Sequence, residues 1–117
     1  MSTPVIMFGH IPLATCYELL TNGPEAPASR TTALTDGPAL YRLIAAHRVP
    51  GLFEGHLHVN ELYRYKDVSF IDTGAICGNW WNGTCDGHPE GFNLVHVYKD
   101  SVEAEYMTYG WDASLFS

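Results

Sequence analysis

The chain has 117 residues, of which 46% are hydrophobic, so it can form one domain around a single small core. A core of this size leaves room for a second subunit to contribute to stability. Six Lys and Arg stand against thirteen Asp and Glu, and the resulting net charge of -7 argues against a nucleic acid duplex as partner. Such a duplex is bound through basic surface, which this chain lacks.

No segment has the features of an export signal or a membrane span. The short apolar run near the N-terminus follows no basic residues, and no apolar stretch approaches the length of about eighteen residues that a spanning helix needs. The three cysteines, Cys16, Cys77 and Cys85, include no C-x-x-C pair and predict neither disulfides nor a cysteine zinc site. We therefore expect no membrane partner and a cytoplasmic setting, although an upstream segment would be missing if Met1 is not the natural start.

The chain opens with a strand and a long loop. Residues 4–8 form an apolar run closed by Gly9, which predicts a short buried strand that presents His10 at its C-terminal end. Residues 14–35 are rich in Pro, Gly, Ser and Thr and predict a surface loop with a short helical turn at 17–20.

A helix and a second strand follow. Asp36 can cap the helix, Pro38 suits its first turn, and the helix should end near Val49, before a proline. Residues 52–54 then predict a second short strand. One face of the predicted helix carries Leu40, Leu43, Ile44 and His47, the last in a position to cap the C-terminus.

Two hairpins are predicted in the second half of the chain. The first joins 63–65 to 68–71, and the second joins 92–98 to 102–109. A glycine-rich loop, residues 73–91, lies between them. Because both faces of the strand at 92–98 carry apolar residues, we expect a covering layer on each side.

Histidines follow both of the short strands. His10 comes after the first, and Gly55-His56-Leu57-His58 comes directly after the second. In a strand-helix-strand unit both strand ends reach the same edge of the sheet, so the three imidazoles would converge and could bind a divalent metal. The alternative is that these histidines are hydrogen-bonded to loop carbonyls.

The glycine-rich loop holds further candidates. Asp86 and His88 resemble metal ligands, but turn chemistry in this loop explains Asp86 and Gly87 without a metal. Trp80 and Trp81 need either a core or a ligand to cover them, and core packing of at least one is the favoured role. With Asn79, the two tryptophans are candidates for lining a substrate site.

Five segments occur together in an order typical of one enzyme family. They are residues 5–13 with Gly9-His10-Ile11-Pro12, then Gly55-His56-Leu57-His58, 68–78, 80–83 and 87–92, followed by the closing hairpin. With its motifs G-H-x-P and G-H-x-H, this pattern resembles the C-terminal half of the calcineurin-like metallophosphoesterases. The likeness covers most of the chain apart from residues 14–35.

The resemblance implies a metal-dependent hydrolase of small phosphate esters, either phosphodiesters or phosphomonoesters. In that family the histidines matching His10 and His56 ligate one metal and the histidine matching His58 ligates the other, so it implies two divalent ions per site, zinc, manganese or iron. The family's upstream motifs D-x-H, G-D-x-x-D and G-N-H-D/E, which supply the remaining ligands, are absent; Gly78-Asn79-Trp80 is not G-N-H.

The family fold is an αββα sandwich, and residues 1–117 account for about one half of it, a single truncated domain. The resemblance therefore implies an α+β or α/β fold with one mixed sheet, a helix on one face, and completion by dimerisation. A homodimer would bring two sets of His10, His56 and His58 together around two metals. The alternatives are a catalytically inactive metal-binding fragment and a half-domain that completes its site with a different chain.

Overall fold

Two β-sheets and two α-helices form an α+β fold in residues 3–25 and 31–116, which are the residues that the computed structural model describes. The elements, in chain order, are β1 (Ile6–Phe8), α1 (Tyr17–Asn22), α2 (Gly37–Ala45), β2 (Gly51–Glu54), β3 (Glu61–Tyr65), β4 (Val68–Asp72), β5 (Phe92–Val97), β6 (Val102–Met107) and a short 3-10 helix (Ala113–Leu115). The predicted strands, helix and two hairpins are all present, but β1, which was predicted to be buried, is partly exposed because it is an edge strand.

The larger sheet is mixed and has the strand order β1-β2-β4-β3. Strands β1, β2 and β4 run parallel, and β3 pairs antiparallel with β4. Every residue of β2 and β4 is buried, as expected for central strands that are covered on both faces. The predicted mixed sheet with a helix on one face is confirmed.

Helix α2 covers one face of this sheet through a single apolar cluster. Ile44, which is 1% exposed, packs on Leu52 of β2 and Phe70 of β4. Leu43 was predicted on the same helix face but is 53% exposed, so the buried stripe is narrower than its sequence pattern suggested. Val49, expected near the helix end, lies after it in the buried cluster.

The two ends of α2 differ from each other in capping. Asp36 occupies the N-cap position, but its side chain makes no capping hydrogen bond because its ψ of 23° is far from the extended backbone that turns a cap side chain toward the helix. At the other end, the ring of His47 donates from Nδ1 to the carbonyl of Leu43 at 2.9 Å. The predicted C-terminal cap is confirmed.

The β5–β6 hairpin forms a separate two-stranded sheet on the opposite face of the mixed sheet. Its inner side packs through Val95 and Val102 against Phe53 and Ile71. Its outer side carries exposed apolar residues, Phe92, Leu94 and Met107, which the pairing register places on one face. A covering layer was predicted on both sides of β5; within the described residues, only the inner side has one.

Among the described residues, no helix has the length and apolar character needed to cross a membrane. The three cysteines form no disulfide. The αββα sandwich completed by a second copy stays a prediction.

Candidate metal centre at the strand ends

His10 and His56 meet where β1 and β2 end side by side. The pairing of β1 with β2 continues past the last residue of each strand. Gly9 N–H donates to the carbonyl of Phe53 at 2.8 Å, and Gly55 N–H donates to the carbonyl of His10 at 2.9 Å. The two imidazoles are consequently within hydrogen-bond distance of each other: Nε2 of His10 lies 3.2 Å from Nδ1 of His56. Parallel strands whose ends share an edge therefore bring together two of the three predicted ligands.

The backbone at His56 and His58 is left-handed, with φ of 74° and 61°. Residues other than glycine rarely adopt this conformation, which costs on the order of 1–3 kcal/mol each and persists where the surroundings enforce it, often at functional sites. Two such residues separated by one position turn the chain sharply just after β2. This turn directs the His56 ring toward His10.

Backbone carbonyls determine which nitrogen of each ring carries the proton. Nε2 of His56 lies 2.8 Å from the carbonyl of Thr31 and must donate to it, so Nδ1, which faces His10, is the bare nitrogen of the neutral ring. Nδ1 of His58 donates to the carbonyl of Gly78 at 2.8 Å, which leaves Nε2 bare. The predicted contacts to loop carbonyls thus exist, and they use one nitrogen of each ring.

The distance between the His10 and His56 nitrogens is that of a hydrogen bond between the two rings, and it also suits two ligands of one cation. Two imidazole nitrogens bound to tetrahedral zinc at about 2.0–2.1 Å would lie about 3.3 Å apart, close to the 3.2 Å between His10 Nε2 and His56 Nδ1. A carbonyl that holds the second nitrogen, as Thr31 does for His56, is the usual support of a metal-binding histidine. Within the described residues, no group of three or more His, Cys, Asp or Glu is arranged to hold a metal ion, so His58 does not join this pair.

Trp80 lies beside His58, with 5.0 Å between the ring centroids. The expectation that at least one of the two neighbouring tryptophans packs in the core is wrong, since Trp80 is 69% and Trp81 46% exposed. Trp81 is instead in edge-to-face contact with Trp111, at 5.1 Å between centroids. Asn79 is also exposed, and its N–H donates to the carbonyl of Gly83.

Asp86 and His88 are engaged in loop contacts. Asp86 accepts a hydrogen bond from the Tyr17 hydroxyl at 2.8 Å; this bond, partial burial and the charge of Asp86 raise the pKa of Tyr17 to about 12. Nδ1 of His88 accepts the N–H of Asn60 at 3.1 Å, so Nε2 carries the proton in the neutral ring and offers no lone pair. Both side chains are therefore in contact with distant parts of the chain, and their low-ranked role as metal ligands stays a prediction.

Three carboxylates that sequence reasoning missed lie in one row at the same edge of the sheet. The register places Glu54, Asp72 and Glu61 opposite one another across β2, β4 and β3, on the face that α2 covers. Glu54 and Asp72 are each the last residue of a fully buried strand. An acidic residue closing an apolar strand was the signal available in the sequence.

Burial sets the protonation of this row. It raises the pKa of Glu54 to about 7, against a hydrogen bond from the Leu13 N–H. It raises the pKa of Asp72 to about 9, together with a hydrogen bond to Glu61 and the charges of Glu61 and Glu54. The pKa of Glu61 is lowered, although burial by itself would raise it. The opposing causes are hydrogen bonds from Asp72, Thr15 and the Cys16 N–H, together with the nearby His88. The opposite directions of these two shifts place the proton on Asp72 and leave Glu61 ionised.

In comparisons with known proteins, no family model matches the chain and no curated protein is significantly similar to it.

Proposed function

We propose that this protein is a metal-dependent hydrolase of phosphate esters, either phosphodiesters or phosphomonoesters. His10, His56 and His58 contribute to a histidine-rich site for two divalent ions, zinc, manganese or iron, assembled at the interface of a homodimer. The observation that carries the proposal is the 3.2 Å separation of His10 Nε2 and His56 Nδ1 at the ends of adjacent parallel strands.

Three features of the histidines support metal binding over simple packing. The pair has the spacing of two ligands of one cation, and the Thr31 carbonyl keeps the His56 nitrogen that faces His10 free of a proton. His58 has a bare Nε2 for a second ion. Both strained histidines are exposed or only partly buried, so core packing gives no reason for the strain.

The surface of the chain supports completion by a second copy. Apolar side chains are exposed on the outer side of the hairpin, including Phe92, Leu94 and Met107, and exposed apolar patches commonly mark interfaces. In a homodimer the partner supplies the ligands that one His10–His56 pair lacks.

The residues of this chain would hold the metal and orient the ester. His10 and His56 would bind one ion through Nε2 and Nδ1, and His58 would bind through Nε2. When bound, the ions would polarise the phosphoryl oxygens and neutralise developing negative charge, which the acidic chain otherwise repels.

Metal content and hydrolysis test the proposal together. The purified 117-residue protein should bind zinc or manganese as a dimer and hydrolyse an activated phosphodiester or phosphomonoester, and a chelator should abolish that activity. Changing His10 or His56 to Ala should lower metal affinity at least tenfold, because each removes one of two ligands. His47→Ala is the matched control, since His47 caps α2 away from the site.

The outcomes separate the proposal from its alternatives. Stoichiometric metal without turnover would identify an inactive metal-binding fragment. A monomer that binds metal weakly but gains activity on addition of a second, different chain would identify a half-domain. Metal affinity that is unchanged in His10→Ala and His56→Ala would refute the proposed site.

A further inference from the structure

We infer that Trp80 is a stacking platform for a flat aromatic group, a nucleobase or an aryl ring, carried by the phosphate ester. The inference rests on the proposed function, because it names the class of ester that the histidine site receives. It arises from three observations: Trp80 is exposed, its backbone is strained, and its ring adjoins His58.

Exposure and strain occur together at Trp80. Its side chain is 69% exposed, although burying an indole is among the largest hydrophobic gains open to a folding chain. Both Trp80 and Trp81 have left-handed backbones, with φ of 52° and 70°. Bulky residues adopt such angles only where the surrounding structure enforces them. The fold therefore keeps the Trp80 indole in solvent at a cost in stability.

Hydrogen bonds and a ring contact hold the loop around Trp80 in its conformation. Trp81 N–H donates to the carbonyl of Cys77 at 2.7 Å, and the amide of Asn82 donates to the carbonyl of Trp80 at 3.2 Å. Trp111 adds a contact between rings and donates from its indole N–H to the carbonyl of Trp81 at 2.9 Å. These contacts fix the backbone that carries Trp80 before any ligand arrives, which lowers the entropy cost of stacking on its ring.

The position of Trp80 indicates which kind of ligand would stack on it. Its ring lies against that of His58, whose bare Nε2 is a candidate metal ligand, so a group stacked on the indole is joined to a phosphate close to the proposed ions. An indole face favours flat π systems over aliphatic groups. The net charge of -7 disfavours a long polyanion, which leaves a small aromatic ester.

NMR resonances of the indole N–H groups test the inference in the absence of metal and independently of any hydrolysis. The chain has three tryptophans, and the resonance of Trp80 is identified by its loss in Trp80→Leu. In chelator, adenosine monophosphate and phenyl phosphate should shift this resonance, whereas ribose 5-phosphate, which has no aromatic ring, should not. Trp80→Leu should weaken binding about tenfold or more, as expected for one lost stack, and Trp80→Phe should retain most of it.

Each result distinguishes this inference from the proposed function. Shifts by both aromatic ligands support stacking even if no hydrolysis is found, and their relative affinity shows whether a nucleobase or a simple aryl ring is preferred. Equal binding of ribose 5-phosphate, or unchanged affinity in Trp80→Leu, would overturn the inference while leaving metal-dependent hydrolysis intact. Conversion of a dimer to a monomer by Trp80→Leu, without ligand-induced shifts in the unaltered protein, would show that Trp80 is an interface residue and also overturn it.

Discussion

Replacing Asp72 with Asn should stabilise the protein at alkaline pH and change it little at pH 5. Asp72 is 1% exposed, and no hydrogen-bond donor of the described residues reaches either of its oxygens. Burial, the hydrogen bond to Glu61 and the charges of Glu61 and Glu54 raise its pKa to about 9. The native state therefore keeps a proton that the unfolded chain, with an Asp pKa of about 3.9, has lost.

The sign and size follow from this difference in bound protons. Because the native state binds the extra proton, the free energy of unfolding falls as the pH rises from about 4 to about 9, and the measurements cover the interval from pH 5 to 9. One proton corresponds to about 1.4 kcal/mol per pH unit, so this interval sets an upper bound of about 5 kcal/mol. Water that enters around the charged carboxyl offsets part of the cost, and we expect a loss of about 2–4 kcal/mol. Asn has no proton to lose, and its amide can donate to Glu61.

Urea unfolding at pH 5, 7 and 9, followed by tryptophan fluorescence in the presence of a chelator, measures this effect. The stability of the unaltered protein should fall across the series, and that of Asp72→Asn should fall by at least about 1.4 kcal/mol less. Asp67→Asn, in the exposed turn between β3 and β4, is the matched control and should keep the full slope. Equal slopes in the unaltered protein and Asp72→Asn would refute the argument.

Two further predictions concern packing and backbone. Ile44→Ala should lower the free energy of unfolding by about 2–5 kcal/mol, because it opens a cavity between α2 and the mixed sheet. Leu43 is half-exposed, so the control variant Leu43→Ala should lower it by less than about 0.5 kcal/mol. Urea unfolding measures both values. Gly78→Ala should destabilise more than Gly87→Ala in the same assay: both glycines have positive φ, but only at Gly78 would a Cβ collide with a neighbour, the carbonyl oxygen of Gly83. Equal costs at the two glycines would show that the loop relaxes around the clash.

Local sequence patterns were sufficient to predict the secondary structure. Apolar runs closed by glycine marked β1 and the turn before His56, alternating residues marked the two hairpins, and the spacing of Leu40 and Ile44 marked α2. The parallel strand ends that bring His10 and His56 together also followed, because a strand-helix-strand connection places both ends at one edge.

The remaining features of the site depend on contacts between residues distant in sequence. The carbonyls of Thr31 and Gly78, which choose the bare nitrogens of His56 and His58, lie more than a strand away from them in the chain. The burial of Asp72 and the exposure of Trp80 likewise depend on which surfaces the other elements cover.

The sequence by itself thus determined where strands, helix and histidines occur, because backbone preference and apolar periodicity act over a few residues. Only the tertiary structure decided that Asp72 is protonated between β2 and β3 and that Trp80 stands in solvent beside His58. The physical reason is that proton affinity and solvent exposure are set by neighbours in space, and three-dimensional packing chooses those neighbours.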